Sequence, residues 1–173
     1  MRTRLLPAFV ALAALAGPAA AQTAEEAVAY AFLGLADGAR IERSGTTMAW
    51  VESGSSPATF DGEVVINGRK DTLHFTVKAL EDCRYEITLE GPGYLVPGGN
   101  RLFGRVDLEE IEGVTLAADG MTTRIDGIGF CETGQRNPTC MSIPGADFFG
   151  TVDPERHKEA LAFLREEVCT KTN

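Results

Sequence analysis

Residues 72–79, Thr72-Leu73-His74-Phe75-Thr76-Val77-Lys78-Ala79, alternate polar and apolar side chains without a break. A period of two marks a strand with one face buried and the other in water. Leu73, Phe75, Val77 and Ala79 share the inner face, and Thr72, His74, Thr76 and Lys78 the outer one. A tight Glu81-Asp82 connection leads into a second run of the same kind. There Cys83, Tyr85, Ile87 and Leu89 alternate with Arg84, Glu86, Thr88 and Glu90. Two such strands joined by a short turn pair antiparallel, because parallel neighbours need a long crossover.

The pattern extends in both directions. Asn67-Gly68 suits a type I′ hairpin turn and joins Glu63–Ile66 to the first strand. Met48 and Trp50 point to one side of a strand near 40–52. Leu102 to Leu108, Val114 to Ala117 and Met121 to Ile128 supply three more candidates, the last two linked by Asp119-Gly120. The expected sheet is an antiparallel meander or half-barrel of about six to seven strands.

A helix is expected at each end of the sheet. Thr23 and Glu26 form a T-x-x-E capping box, Val28, Ala31, Phe32 and Leu35 recur at helical spacing, and Asp37-Gly38 stops the run. This predicts a short helix with one apolar stripe laid on the sheet. Near the other end, Asp153 is an N-cap residue and Pro154 suits the first helical position. Ala160, Leu161, Leu164 and Val168 share a face, with Cys169 on its flank. Helix, meander, helix is an α+β architecture.

Residues 1–21 have the three parts of a cleavable signal peptide. Arg2 and Arg4 precede an apolar stretch from Leu5 to Ala16, Gly17-Pro18 breaks it, and Ala19 and Ala21 supply the small residues before a cut at Gln22. A helix of about 12 residues spans only ~18 Å, too little for a membrane anchor. The predicted organisation is a signal peptide over 1–21 and one globular α+β domain over 22–173, exported to the periplasm or secreted. Removing the signal takes two arginines and no acid, so the formal charge of −9 becomes −11. That charge argues against nucleic acid and anionic membrane surfaces. It also serves to keep an exported protein dissolved.

All four cysteines lie beyond the signal, and an even number in an oxidising compartment reads as two disulfides. Three pairings are open. Cys131 and Cys140 flank a stretch with turn residues Gly134 and Asn137-Pro138, which favours joining them and leaves Cys83 for Cys169. No C-x-x-C occurs and neither histidine adjoins a cysteine, which disfavours a redox or metal site.

Nothing assembles into catalytic machinery. His74 lies on the wet face of its strand, and His157 shares a helical face with Leu161 and Leu164, where a hydrogen-bonded, partly buried role is expected. Ser142 and Ser53 to Ser56 lack a nucleophile elbow. The acidic run Asp107, Glu109, Glu110, Glu112 matches no calcium loop and reads as a solvated turn. No catalytic, cofactor-binding or metal-binding residue is assigned, and no cofactor is expected. The unusual stretches are Gly91 to Asn100, with Tyr94, Leu95 and Val96 set among glycines and prolines, and Cys131 to Gly150, with Phe148-Phe149. These five residues form the candidate interaction loops. The expected function is a non-enzymatic binding domain of the cell envelope whose partner is another envelope protein. The alternative is a small-ligand or lipid-binding module with a sheet-lined pocket, and behind that a hydrolytic enzyme.

Overall fold

The computed structural model describes residues 23–81, 83–96, 101–118, 122–126, 129–131, 140–142, 146–150 and 152–169. The expected signal peptide and its cleavage residues Ala19, Ala21 and Gln22 lie outside them.

The chain enters through α1 (Ala24–Leu33) and then builds β1 (Arg40–Arg43), β2 (Thr46–Ser55), β3 (Ala58–Ile66), β4 (Arg69–Glu81), β5 (Arg84–Glu90) and β6 (Arg101–Asp107). These six strands run as an antiparallel meander, as the alternation predicts. Beyond them the expectation of a single meander is corrected. Strands β9 (Gly129–Cys131) and β10 (Cys140–Ser142) join the edge at β6, giving the order β1-β2-β3-β4-β5-β6-β9-β10. Strands β7 (Gly113–Leu116), β8 (Thr122–Asp126) and β11 (Ala146–Phe149) form a second sheet in the order β11-β8-β7. Segments of three to five residues carry too few alternations to reveal which sheet they enter. The strand expected near 40–52 is also two. Ser44 (φ 49°) and Gly45 (φ 78°) turn the chain between β1 and β2, as Asn67 (φ 51°) and Gly68 (φ 80°) do between β3 and β4. Consecutive positive φ angles are those of a type I′ turn, whose twist matches that of the strands.

Side-chain parity in the central strands follows the sequence. Leu73 and Val77 of β4, Tyr85 and Ile87 of β5, and Phe60 and Val64 of β3 are buried together. Two residues depart from the expected faces: Ala79 is exposed, next to the register shift between Ala79 and Glu81, and Thr88 of the expected outer set is buried. Trp50 on β2 lies opposite Gly62 on β3 and meets Phe75 edge to face, with ring centroids 5.3 Å apart. The space that a Cβ at Gly62 would fill is taken by the indole.

Helix α1 departs from the expected single stripe. Every residue from Ala27 to Leu33 is buried. The helix contacts β3 and β4 of the large sheet, β8 and β11 of the small one, and the closing helix α2 (Pro154–Phe163). A helix apolar all round is buried all round. Alanines 27, 29 and 31 keep its girth small enough for both sides to close on it.

Such a helix must find partners for its terminal backbone groups inside the protein. The Thr23–Glu26 capping box forms as expected, with the Thr23 hydroxyl accepting from the Glu26 N–H at 3.2 Å. At the other end Gly34 (φ 65°) closes the helix with an αL cap. Its N–H donates to Tyr30 C=O at 3.0 Å, and the Leu35 N–H donates to Ala29 C=O at 3.1 Å. The Ala31 carbonyl is taken by His157 of α2, whose Nε2–H donates at 2.9 Å.

Asp153 caps α2 by accepting the Arg156 N–H at 2.9 Å, and its own N–H donates to the Tyr30 hydroxyl of α1 at 2.7 Å. After Phe163 the helix widens into one π-helical turn, Leu164–Val168, and the chain reaches the Cys83–Cys169 disulfide, whose Cα atoms are 5.3 Å apart. This is the bridge that pairing by elimination favours. Cys131 and Cys140 are placed directly opposite one another across β9 and β10, while their side chains lie outside the described residues.

Two stability effects follow. Gly62→Ala must displace the Trp50 ring and should lower the urea midpoint by the equivalent of about 1–3 kcal/mol, the usual cost of overpacking. Replacing both Cys83 and Cys169 by Ser opens a loop of sequence separation 86. In the chain-entropy model it should cost roughly 4–5 kcal/mol, read from the same titration.

Candidate functional site

The glycine-rich stretch after β5 divides its three apolar residues between core and surface. Leu95 and Val96 donate their N–H groups to Pro92 C=O at 2.8 and 3.1 Å, closing a tight turn. That turn drives Val96 fully into the core and packs Leu95 against it. Tyr94 stays 55% exposed. Its hydroxyl donates to Oδ2 of Asp71, and the Arg69 guanidinium lies over its ring, 4.6 Å from the centroid. Arg69 also pairs with that same Asp71 oxygen at 3.1 Å. The hydrogen bond to Asp71 holds the phenol above its ordinary pKa. The ring is therefore fixed on the start of β4 from the side chain and from the backbone at once.

Phe148 and Phe149 belong to strand β11, paired with Thr123 and Thr122 of β8, instead of to a loop. Their side chains lie outside the described residues. The structure therefore places Tyr94 beside the large sheet and the phenylalanine pair in the small one.

A second site lies where α1, β2 and α2 begin or meet. Glu26, Tyr30, Asp37, Glu52, Phe60 and Arg156 line a cleft of ≈ 210 Å³. Glu26 and Glu52 face each other's charge within this cleft. Asp37 accepts the backbone N–H of Glu52 at 3.1 Å, and Arg156 stacks over the Tyr30 ring at 4.3 Å. Burial pushes the Glu52 carboxyl up to about 7, aided by the charge of Glu26 and by Asp37, with Arg156 acting in the opposite direction. Burial also works against ionisation of Glu26, but the Thr23 backbone N–H and the Glu52 carboxyl outweigh it and hold Glu26 below its ordinary value. Sequence reading placed Glu26 in the capping box and missed Glu52. The signal was its parity: Glu52 follows Met48 and Trp50 on the inner face of β2.

The remaining candidates resolve into structural roles. His74 faces solvent and its Nδ1 meets Asp61 of β3 at 2.6 Å, a contact that holds the Asp61 carboxyl below its usual range. Asp107 ends β6, pairs with Arg84 at 2.7 Å and accepts the Glu109 N–H at 3.0 Å, so the acidic run is a turn. Among the described residues no His, Cys, Asp and Glu side chains converge as a metal site would need, and no helix is long and apolar enough to cross a membrane. An apolar pocket between Phe32, Ile111, Leu161 and Leu164 has a volume of ≈ 60 Å³. That is room for about two waters.

Compared with known proteins, the chain matches no family model, no curated protein and no solved structure.

Proposed function

We propose that this is an exported binding domain of the cell envelope that recognises another envelope protein without catalysis, using the surface centred on Tyr94 and Arg69. The observation that carries the reading is an aromatic ring that is exposed and yet immobilised. Tyr94 has contacts to Asp71 and Arg69 and a backbone anchored by buried Val96. Tyr and Arg are the side chains that most often dominate the energy of an interface, and a ring ordered before contact loses little further freedom when the partner arrives. Arg69 remains 69% exposed beside it, so the cation is open to a partner's carboxylate or carbonyl.

The large sheet is read as an open half-barrel curled around α1. This arrangement weakens the small-ligand alternative, because the helix occupies the concavity in which a lipid would sit. Phe148 and Phe149 are retained as a second contact region. Periplasmic or secreted localisation follows from the predicted signal peptide and is supported by the Cys83–Cys169 bridge, a bond that persists in oxidising compartments.

Two measurements test the proposal. Protein recovered from the envelope fraction of its host should begin at Gln22 and contain no free thiol, with Cys131 linked to Cys140 in a non-reducing peptide map. An intact N-terminus or two free thiols would overturn that part. Cross-linking in the same host should capture a partner with the native chain, and Tyr94→Ser or Arg69→Ala should weaken capture about tenfold or more without moving the melting temperature. Undiminished capture by both variants would remove Tyr94 and Arg69 from the interface.

A further inference from the structure

We propose that the surface at Tyr94 recognises a carboxylate set beside an aliphatic side chain, so that the partner presents an acidic and apolar peptide segment to Arg69. This rests on the reading of Tyr94 and Arg69 as an interface and names what that interface takes. Its geometric basis is the way one guanidinium is held. The guanidinium lies over the Tyr94 ring, 4.6 Å from the centroid, and its Nε pairs with Oδ2 of Asp71 at 3.1 Å. The same Asp71 oxygen accepts the Tyr94 hydroxyl, so ring, carboxylate and guanidinium fix one another.

That arrangement leaves the tip of the arginine open. The ion pair is made at Nε, on the stem side of the guanidinium. No hydrogen bond among the described residues engages the two terminal nitrogens, and the side chain is 69% exposed. The outer edge of a guanidinium carries two parallel N–H groups, a fork that matches the two oxygens of a carboxylate. Here the fork is oriented before any partner arrives, which lowers the entropy lost on binding.

The neighbouring strands supply an apolar surface. Ile66 of β3 lies directly opposite Arg69 across the Asn67-Gly68 turn, so the two share a face of the sheet. Val64 and Leu73, at the same parity on these strands, are buried, which makes it the inner face. Thr46 of β2 is opposite Ile66, and Met48 follows it at the same parity. Ile66 and Met48 pack against the core and stay half-buried. An aliphatic side chain laid on this strip would bring a carboxylate next to it in sequence up to the fork.

A carboxylate fits this setting better than a phosphate. Lys70, the adjacent cation, has the opposite parity and is paired with Glu63 at 2.9 Å. Asp71 already holds a negative charge against the same guanidinium. A planar anion of single charge needs only the one fork. A dianion would call for further donors and would meet the Asp71 charge at close range.

Two peptides test this, Leu-Glu-Leu-Glu and Leu-Gln-Leu-Gln, each acetylated and amidated at its ends and titrated at low salt into the native chain labelled with nitrogen-15. The acidic peptide should shift the signals of the Arg69 side chain and the Tyr94 amide. The glutamine peptide should bind at least about tenfold more weakly. Arg69→Lys should lose the acidic peptide as fully as Arg69→Ala, because an ammonium keeps the charge without the fork. Equal binding of the two peptides, binding of neither, or undiminished binding by Arg69→Lys would each overturn carboxylate recognition. So would displacement of the acidic peptide by an equal concentration of inorganic phosphate. The two peptides are compared on the native chain, so that readout holds even where a variant does not fold. Partner capture separates this inference from the reading beneath it. If Tyr94→Ser and Arg69→Ala abolish capture while the peptides bind alike, the interface stands and its carboxylate specificity falls. If capture is undiminished in both variants, the two fall together.

Discussion

The fold depends on burying Ala27 to Leu33 of α1 on every side. Once Ala27 to Leu33 are removed from water, the last turn of α1 cannot be solvated and each loose backbone group there needs a partner in the chain. Much of the rest of the structure answers that need. Thr23 and Glu26 close the front, and Gly34 closes the back with an αL cap. The Ala31 carbonyl, left over by that cap, is taken by His157. A histidine suits the last task because its ring is long enough to cross the helix interface and flat enough to lie within it. Buried side-chain nitrogen and oxygen atoms among the described residues all find partners, so the enclosure is made without stranded polar groups.

The same requirement explains why the closing helix is fastened at both ends. At its start, Tyr30 of α1 accepts the Asp153 N–H, so the residue that caps α2 is itself held by α1. At its finish, the chain widens into a π-helical turn before Cys169 meets Cys83 between β4 and β5. A covalent bond there limits how far α2 can lift from α1. Where the closing contact is made of few residues, Ala160, His157 and Leu164 being its buried members, a tether compensates for a small interface. The outer face of the large sheet follows a simpler rule: cross-strand partners such as Asp61 and His74 satisfy each other in water and ask nothing of the core.

How much of this was readable from residues depends on the length of each pattern. Strands β4 and β5 alternate over seven residues or more, and their inner faces fall where Leu73, Val77, Tyr85 and Ile87 say they should. Strands β7 to β11 are too short to announce a sheet, and Ser44-Gly45 was overlooked as a turn because serine is a less common first residue for it than asparagine. The all-round burial of α1 was visible as an apolar run broken only by Tyr30, yet the helical spacing of Val28, Phe32 and Leu35 drew attention to one stripe. At the candidate sites, Tyr94 could be named as unusual from its glycine-rich setting. Its partners Arg69 and Asp71 are more than twenty residues away, and no local pattern joins them. Glu52 was hidden for the opposite reason. A single acid in a strand looks solvated unless its parity is compared with Met48 and Trp50.

That parity also identifies where the structure holds unequal forces. The buried polar side chains Tyr30, Thr88, Thr123 and His157 leave no enclosed nitrogen or oxygen without a partner, and their cost ends when the hydrogen bond is made. Glu52 is on the inner side of a strand but near its end, half-buried, with Glu26 against it, Asp37 next to it and one arginine to offset three acids. Replacing it with an apolar residue would remove one acid from this crowd, while the contact that ties β2 to Asp37 would remain, because it is made by the backbone N–H of residue 52.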